Sequence, residues 1–295
     1  MSKRSRDRQL AKLAARRQAE RDAAARRRSL IVGIVVGVLG LIVVIVGLSV
    51  LLGDGTDAAS PSDSPSVSPS VSPSGSPSPS AAPGTKTGTI TPTAATESGE
   101  VACGAETPAK AGKPKPQFAG PPPMKIDQKA TYTATMVTSC GTIVIELDAK
   151  RAPQTVNSFV FLAKQGYFDG QYFHRLDTSI DVIQGGDPSG TGGDGPGYAI
   201  PDELAGKLTY TPGTLAMANA GANTGGSQFF IITGPEGTNL DGNPNYTIFG
   251  KVLEGLDVAQ KIQALPILDP SAADLSGQRP KQAVYIEKVT ISKSG

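Results

Sequence analysis

The longest apolar run of the chain covers residues 30–52, and no charged residue interrupts it. As a helix, these twenty-three residues would be about 35 Å long, enough to cross the roughly 30 Å hydrocarbon core of a bilayer. A cleaved signal peptide is the alternative, but its apolar part is usually about 7–15 residues long and is followed by a cleavage site of small residues. Residues 48–52 offer no such site. The pattern therefore favours a retained transmembrane helix.

Short apolar and β-branched runs recur after residue 129, and Gly-rich turns separate them, which is typical of strands. These runs cover residues 131–137, 142–147, 180–184, 213–218, 228–232, 246–252 and 283–291. Apolar residues at helical spacing occur twice, from Pro153 to Gly166 and over residues 253–264. The pattern predicts a mainly β domain over residues 129–295, an antiparallel barrel with two helices covering its ends.

A segment that cannot form a core separates the two apolar regions. Residues 60–80 alternate Ser and Pro with few exceptions, and proline biases such a chain toward extended polyproline II. Residues 101–128 also contain several prolines and show no hydrophobic periodicity. The sequence therefore predicts a disordered, Ser/Pro-rich linker over residues 53–128.

The charge of the chain is concentrated in its first 29 residues. They hold eleven Lys or Arg and three acidic residues, whereas the whole chain has a net charge of only +2. Lys and Arg beside a transmembrane helix stay on the cytoplasmic side. The alternative, a tail that binds nucleic acid or anionic lipid, is less favoured because the segment has no aromatic residue to stack on bases. We therefore expect residues 1–29 in the cytoplasm, residues 30–52 in the bilayer, the rest outside the membrane, and no nucleic-acid partner.

Two cysteines, Cys103 and Cys140, and one histidine, His174, are the only such residues in the chain. This set cannot form a zinc site of the Cys/His type, and we expect neither a metal nor a cofactor. In an oxidising compartment the two thiols would form a disulfide, and otherwise they would be free. The sequence leaves both possibilities open.

Three sequence blocks stand out in the predicted β domain. The first is Phe-His-Arg at residues 173–175, followed by Gln-Gly-Gly-Asp at 184–187. The second covers residues 217–231, and the third joins Leu-Asp-Gly at 240–242 to Phe-Gly-Lys at 249–251. In this order the blocks resemble the cyclophilin-type peptidyl-prolyl isomerases. The resemblance spans about residues 132–292 and implies a closed, eight-stranded antiparallel β-barrel. Abundant Arg, Ala, Gly and Pro suggest an actinobacterial-like member.

The family's reaction is rotation about X-Pro bonds, which has a barrier of about 20 kcal/mol because the twisted state loses amide resonance. It requires an apolar slot for the proline ring and donors that bind the twisted amide better than the planar one. By resemblance, Arg175 is the catalytic donor. The resemblance assigns substrate binding to Phe173, His174, Val182, Gln184, Ala218, Asn219, Gln228, Phe230, Leu240 and Tyr246.

Departures from the family pattern bear on activity and inhibitor binding. Asp181 occupies the position of an aromatic residue before Val182, although Ile180 could take that place because the interval is one residue longer. An acid at the rim of the proline slot would weaken apolar binding. Asn239 replaces the usual tryptophan, which implies weak cyclosporin binding, and Tyr246 replaces a histidine.

Two functions follow from this resemblance. The first is an isomerase that acts on proline-containing exported or cell-envelope proteins. The alternative is a catalytically weak proline-binding or chaperone module anchored to the membrane, for which Asp181 is the reason. The Gly-rich segment 190–195 has the glycine spacing of a nucleotide-binding motif. It lacks the helix that such a site needs, so we predict a flexible loop there.

Overall fold

The computed structural model describes residues 82–93, 95, 99–270 and 277–295. The predicted basic tail, the transmembrane helix over 30–52 and the linker up to residue 81 lie outside these residues. Among the described residues, no helix combines the length and the apolar character needed to cross a membrane.

Eleven strands and two α-helices make up the described chain. The strands are β1 Lys86–Ile90, β2 Lys115–Phe118, β3 Thr131–Thr138, β4 Gly141–Leu147, β5 Gln171–Tyr172, β6 Arg175–Asp177, β7 Val182–Gly185, β8 Thr214–Met217, β9 Phe229–Ile232, β10 Ile248–Glu254 and β11 Tyr285–Ser294. The helices are α1 Pro153–Lys164 and α2 Leu256–Gln263. A 3-10 helix covers Pro235–Leu240 and another, very short, covers Ala102–Gly104.

Nine of the described strands form one antiparallel sheet in the order β5-β11-β3-β4-β10-β8-β9-β7-β6. Its two ends are consecutive in the chain, because only Phe173 and His174 separate β5 from β6. The backbone N–H of Phe173 donates to Val284 O beside one end (2.9 Å), and that of His174 donates to Gln184 O at the other end (3.1 Å). The sheet therefore curls back on itself. The described strands number nine rather than eight because the segment 171–177 changes its pairing partner halfway.

The core lies between the inner face of the sheet and α1. Alternate residues of β3 point inward, and α1 buries Phe159, which stacks on Phe168 at 4.8 Å between ring centroids. Helix α1 begins at Pro153 as predicted, since proline lacks only an N–H that the first turn leaves unpaired. Helix α2 begins three residues later than predicted, because β10 continues to Glu254 and Gly255 turns the chain with a left-handed φ of 81°.

The predicted linker is wrong for its second part. We call the described residues between 82 and 128 the strap, because they lie along the barrel and contain β1 and β2, which pair antiparallel. The strap docks through a few buried side chains, and Phe118 packs edge-on against Phe161 at 5.0 Å. Prolines and glycines interrupt any hydrophobic periodicity in this segment. A few isolated apolar side chains nevertheless dock it against the barrel.

Two further contacts attach the strap. A disulfide joins Cys103 to Cys140, which lies in the turn between β3 and β4, so the structure has the bonded form of the two left open. The amino group of Lys115 is buried and donates to the backbone oxygen of Asp169. Burial lowers the pKa of Lys115 to about 8, although the nearby Asp169 carboxylate opposes this shift.

Candidate active site

An open groove of about 570 Å³ is lined by residues of β6, β7 and β9 and of the loops beside them. It is lined by nine of the eleven residues that the sequence assigned to the site, namely Arg175, Val182, Gln184, Ala218, Asn219, Gln228, Phe230, Leu240 and Tyr246. The remaining two, Phe173 and His174, lie beneath the groove.

One part of the groove is apolar and closely packed. Val182 and Phe230 are almost fully buried in a small cluster that includes Tyr210, and Leu240 packs against the same cluster. The ring of Tyr246 stands perpendicular to that of Phe230 at 5.2 Å between centroids. The Tyr210 hydroxyl donates to Tyr246 O (2.8 Å) and accepts from Tyr246 N–H (3.0 Å), which fixes this wall. Burial raises the pKa of Tyr210, so its hydroxyl remains a donor.

Arg175 is fixed by three side chains. Its Nε donates to Gln278 Oε1 (2.6 Å), Nη1 to Gln184 Oε1 (3.0 Å) and Nη2 to Asp177 Oδ2 (2.5 Å). A guanidinium carries five N–H groups, so two remain without a partner among the described residues. The side chain is 23% exposed, and it lines the groove, where these donors can meet a ligand.

Two of these partners were missed by the sequence analysis. Gln278 lies 103 residues from Arg175 and also accepts the Leu176 N–H through its backbone oxygen (2.8 Å), so no local pattern announces it. Asp177 is buried and also accepts from Ser179 N–H (2.8 Å) and Oγ–H (2.6 Å). An acid two residues from Arg175 was a signal that could have found it.

A row of side-chain amides leads from Arg175 along the groove. Gln184 Nε2 donates to Gln228 Oε1 (3.0 Å), and Gln228 Nε2 donates to the backbone oxygens of Gly192 (3.1 Å) and Asp194 (2.9 Å). On the other wall, Asn219 Nδ2 donates to Asn245 O (2.8 Å). The polar groups at this end are therefore held in place before any ligand binds.

The Gly-rich loop was predicted to be flexible, but hydrogen bonds hold it in the structure. The buried Asp187 carboxylate accepts from Ser189 N–H (2.8 Å), from Ser189 Oγ–H (2.9 Å) and from Gly192 N–H. A short polar turn thus presents residues 192–198 as one wall of the groove.

The expected acid at the rim of the proline slot is absent from the groove lining. Asp181 has a left-handed backbone, φ 48°, and its carboxylate accepts the Glu236 N–H (2.9 Å) outside the groove. Its backbone oxygen accepts the Thr233 N–H (2.8 Å). Ile180 lines the groove instead. The extra residue in this turn rotates the acid away, so the predicted disturbance of the slot by Asp181 is wrong.

Phe173 and His174, which the resemblance assigned to substrate binding, do not line the groove. Phe173 is fully buried in the main core, and His174 is only 2% exposed. Neither ring nitrogen of His174 has a hydrogen-bond partner among the described residues. Burial lowers the pKa of His174 to about 4, against the opposing effect of Asp187. Both residues therefore pack in the interior, directly before Arg175 in the chain.

A curled antiparallel sheet with an arginine donor beside an apolar pocket defines a β-barrel protein with an open groove. Residues 133–291, slightly more than half of the chain, match the family model described as "Cyclophilin type peptidyl-prolyl cis-trans isomerase/CLD". The chain therefore belongs to the cyclophilin-type peptidyl-prolyl cis-trans isomerases, a family of enzymes.

Curated relatives agree with this family. Peptidyl-prolyl cis-trans isomerase A of Mycobacterium tuberculosis is 42% identical over 180 residues, covering 55% of this chain and 93% of the relative. Peptidyl-prolyl cis-trans isomerase ppi1 of Schizosaccharomyces pombe is 49% identical over 129 residues, covering 42% of this chain and 81% of the relative. A Cryptosporidium parvum cyclophilin type peptidyl-prolyl cis-trans isomerase, solved in the presence of the dipeptide Ala-Pro, is 30% identical with a TM-score of 0.48, covering 55% of this chain and 99% of that one.

Proposed function

We propose that this enzyme accelerates X-Pro rotation in exported or cell-envelope proteins, with Arg175 as the donor to the twisted amide. The observation that carries this proposal is the fixed guanidinium, which keeps two unused N–H groups beside an apolar pocket. Val182, Phe230 and Leu240 would hold the proline ring in that pocket.

The proposed catalysis follows from what changes as the amide twists. The prolyl nitrogen regains a lone pair when resonance is lost, so it accepts a hydrogen bond that the planar amide cannot accept. A donor placed at that nitrogen therefore binds the transition state better than the ground state, which is the condition for acceleration. Because Asp177, Gln184 and Gln278 already orient Arg175, little reorganisation is needed when the bond rotates.

The proposed location is the outer side of a bacterial, actinobacterial-like membrane, with residues 30–52 as anchor. Support comes from the basic residues before the apolar run and from the disulfide, which persists in oxidising compartments. Proline-containing proteins outside the membrane would be the partners, and Asn239 in the groove-side turn implies weak cyclosporin binding. The alternative of a weak binding module rested on Asp181, and that carboxylate bonds Glu236 N–H instead.

The direct test uses the full chain in detergent and a peptide containing one X-Pro bond. We expect Arg175→Ala to lower kcat/KM about 100-fold or more while peptide binding changes by less than about threefold, because the donor acts in the transition state. Arg151→Ala is the matched control, since Arg151 donates to Lys207 O away from the groove (2.8 Å). Unchanged turnover in Arg175→Ala, or an equal loss of binding and turnover, would contradict the proposed role.

A further inference from the structure

The strap forms part of the groove at a point that the family match does not include. The match begins at residue 133, whereas Gln117 of β2 lines the groove beside the loop 192–198. This chain therefore has a groove wall that comes from outside its isomerase domain.

Two hydrogen bonds join the strap to the loop, one between backbone groups and one from a side chain. Phe118 N–H donates to Pro196 O (2.8 Å), and Gln117 Nε2 donates to Gly195 O (2.6 Å). Gly197, with φ +89°, permits this approach, because a Cβ at that position would lie 2.7 Å from Phe118 O. The position of Gln117 in the groove is thus set by two contacts with the loop, one from its own side chain and one from the backbone of the next residue, Phe118.

Buried anchors on the strap keep this wall in place. Phe118 is 1% exposed, and its ring lies between Phe161 and Tyr198, at 5.0 and 6.4 Å between centroids. Lys115 is buried two residues before Gln117. An interaction made by Gln117 therefore requires little ordering of the protein when a ligand binds.

Gln117 has one unused hydrogen-bonding atom. Its Nε2 bonds the loop, but its Oε1 has no hydrogen-bond partner among the described residues. The adjoining wall contains Gly193 and Gly195, and a Cβ on Gly195 would meet nothing within 4 Å. This part of the groove therefore combines an acceptor that lies beside Gly197 with two further glycines, Gly193 and Gly195, in a wall that also contains Asp194, Pro196 and Tyr198. The small residues leave room for an extended peptide backbone, whose N–H groups the acceptor suits.

We propose that the strap adds a subsite to the groove, in which Gln117 Oε1 accepts a backbone N–H of the substrate beyond the X-Pro bond. The hydrogen-bonded row from Arg175 through Gln184 and Gln228 ends at Gly192 and Asp194, next to the loop residue that Gln117 bonds. The ligand class is an extended polypeptide segment, longer than a peptide that only fills the proline slot. This subsite rests on the proposed function.

The test compares a short X-Pro peptide with the same core extended by four residues on one side or on the other. For the full chain in detergent, we expect Gln117→Met to lower kcat/KM for one extended peptide about 3- to 10-fold, the size of one lost hydrogen bond, and to leave the short peptide unchanged. The matched control is Lys113→Ala, an exposed change on the same strap. N-methylation of the responsible substrate N–H should abolish the difference between wild type and Gln117→Met.

Two outcomes overturn the subsite. Equal losses on short and extended peptides would mean that Gln117 acts only by shaping the loop, and no loss on any peptide would mean that it does not contact substrate. The affinity of each peptide, measured by titration, separates this proposal from the proposed function. If wild type binds the extended peptide more tightly than Gln117→Met does but shows no turnover, the isomerase mechanism fails and the subsite stands.

Discussion

Arg175 lies on a strand of only three residues, so its side chain depends on neighbours for orientation. Gln278 bonds both its Nε and the backbone of the next residue, while the buried Asp177 carboxylate holds Nη2. The neighbouring carboxylate does not change the protonation state of the donor, because arginine stays charged. Its hydrogen bond restricts the guanidinium to one orientation. The geometry therefore favours an oriented donor over a mobile one.

His174 provides a pH test that needs no deconvolution, because it is the only histidine of the chain. Burial lowers its pKa to about 4, so we expect its imidazole NMR signals to titrate below pH 5. Between about pH 6.5 and 4 the unfolded state binds this proton and the folded state does not, so the free energy of unfolding should fall as pH falls through that window.

His174→Gln is the control for that measurement, since it should remove this part of the pH dependence of stability. A titration midpoint near 6.5 in the folded protein would place the ring in water and contradict its packing role.

The sequence could identify only those site residues that stand within a recognisable block of neighbouring residues. Gln184 and Gln228 were found because they stand in fixed blocks, and both line the groove. Gln117 and Gln278 could not be found, because each reaches the site from another segment and nothing in its own neighbourhood marks it. Asp181 was misjudged because one extra residue changes the backbone to a left-handed turn, which spacing alone does not show.

Hydrophobic patterning predicted both α-helices and seven of the nine strands of the curled sheet. The short strands β5 and β6 were not predicted, and neither was the strap. Its strands are short, and β2 contains a proline, so propensity predicted a linker. Long-range contacts stabilise it instead: Val101 bridges Ala283, and Cys103 bonds Cys140. A segment that is stabilised mainly by contacts with an already folded barrel needs little hydrophobic periodicity of its own.

The disulfide leads to a prediction about stability. Its two cysteines are 37 residues apart, and removing the cross-link frees that loop in the unfolded chain. We expect the Cys103→Ser/Cys140→Ser double variant to lose about 2–4 kcal/mol of unfolding free energy. Chemical denaturation of the oxidised protein and the variant measures this difference.

Reduced wild type serves as the control, because it should resemble the double variant. Equal stability of all three forms would mean that the strap stays docked without the cross-link.

Along its full length, the sequence divides into a basic tail, an apolar run, a Ser/Pro-rich segment and the enzyme domain. The first three lie outside the described residues, and their arrangement remains a prediction. The strap moves the start of the folded part from residue 129 to about residue 82, so a fragment that begins at the family match would lack Gln117, Phe118 and the partner of Cys140.

Protease treatment of intact cells checks the proposed topology. We expect an external protease to remove residues 53–295 and to leave a tag fused before residue 30 protected, since the basic tail stays in the cytoplasm. A cytoplasmic marker protein controls for leakage. Full protection of the enzyme domain from protease would refute the outward orientation.

The pairing of β11 with β3 also sets an order of events during folding. The first barrel strand, β3, can pair with β4 at once, but its second partner is present only when residues 285–294 have been synthesised, and Val101 pairs with Ala283 equally late. The strap is synthesised before the barrel, yet it can dock only after the barrel has closed. The groove is therefore completed last, by the part of the folded domain that is synthesised first.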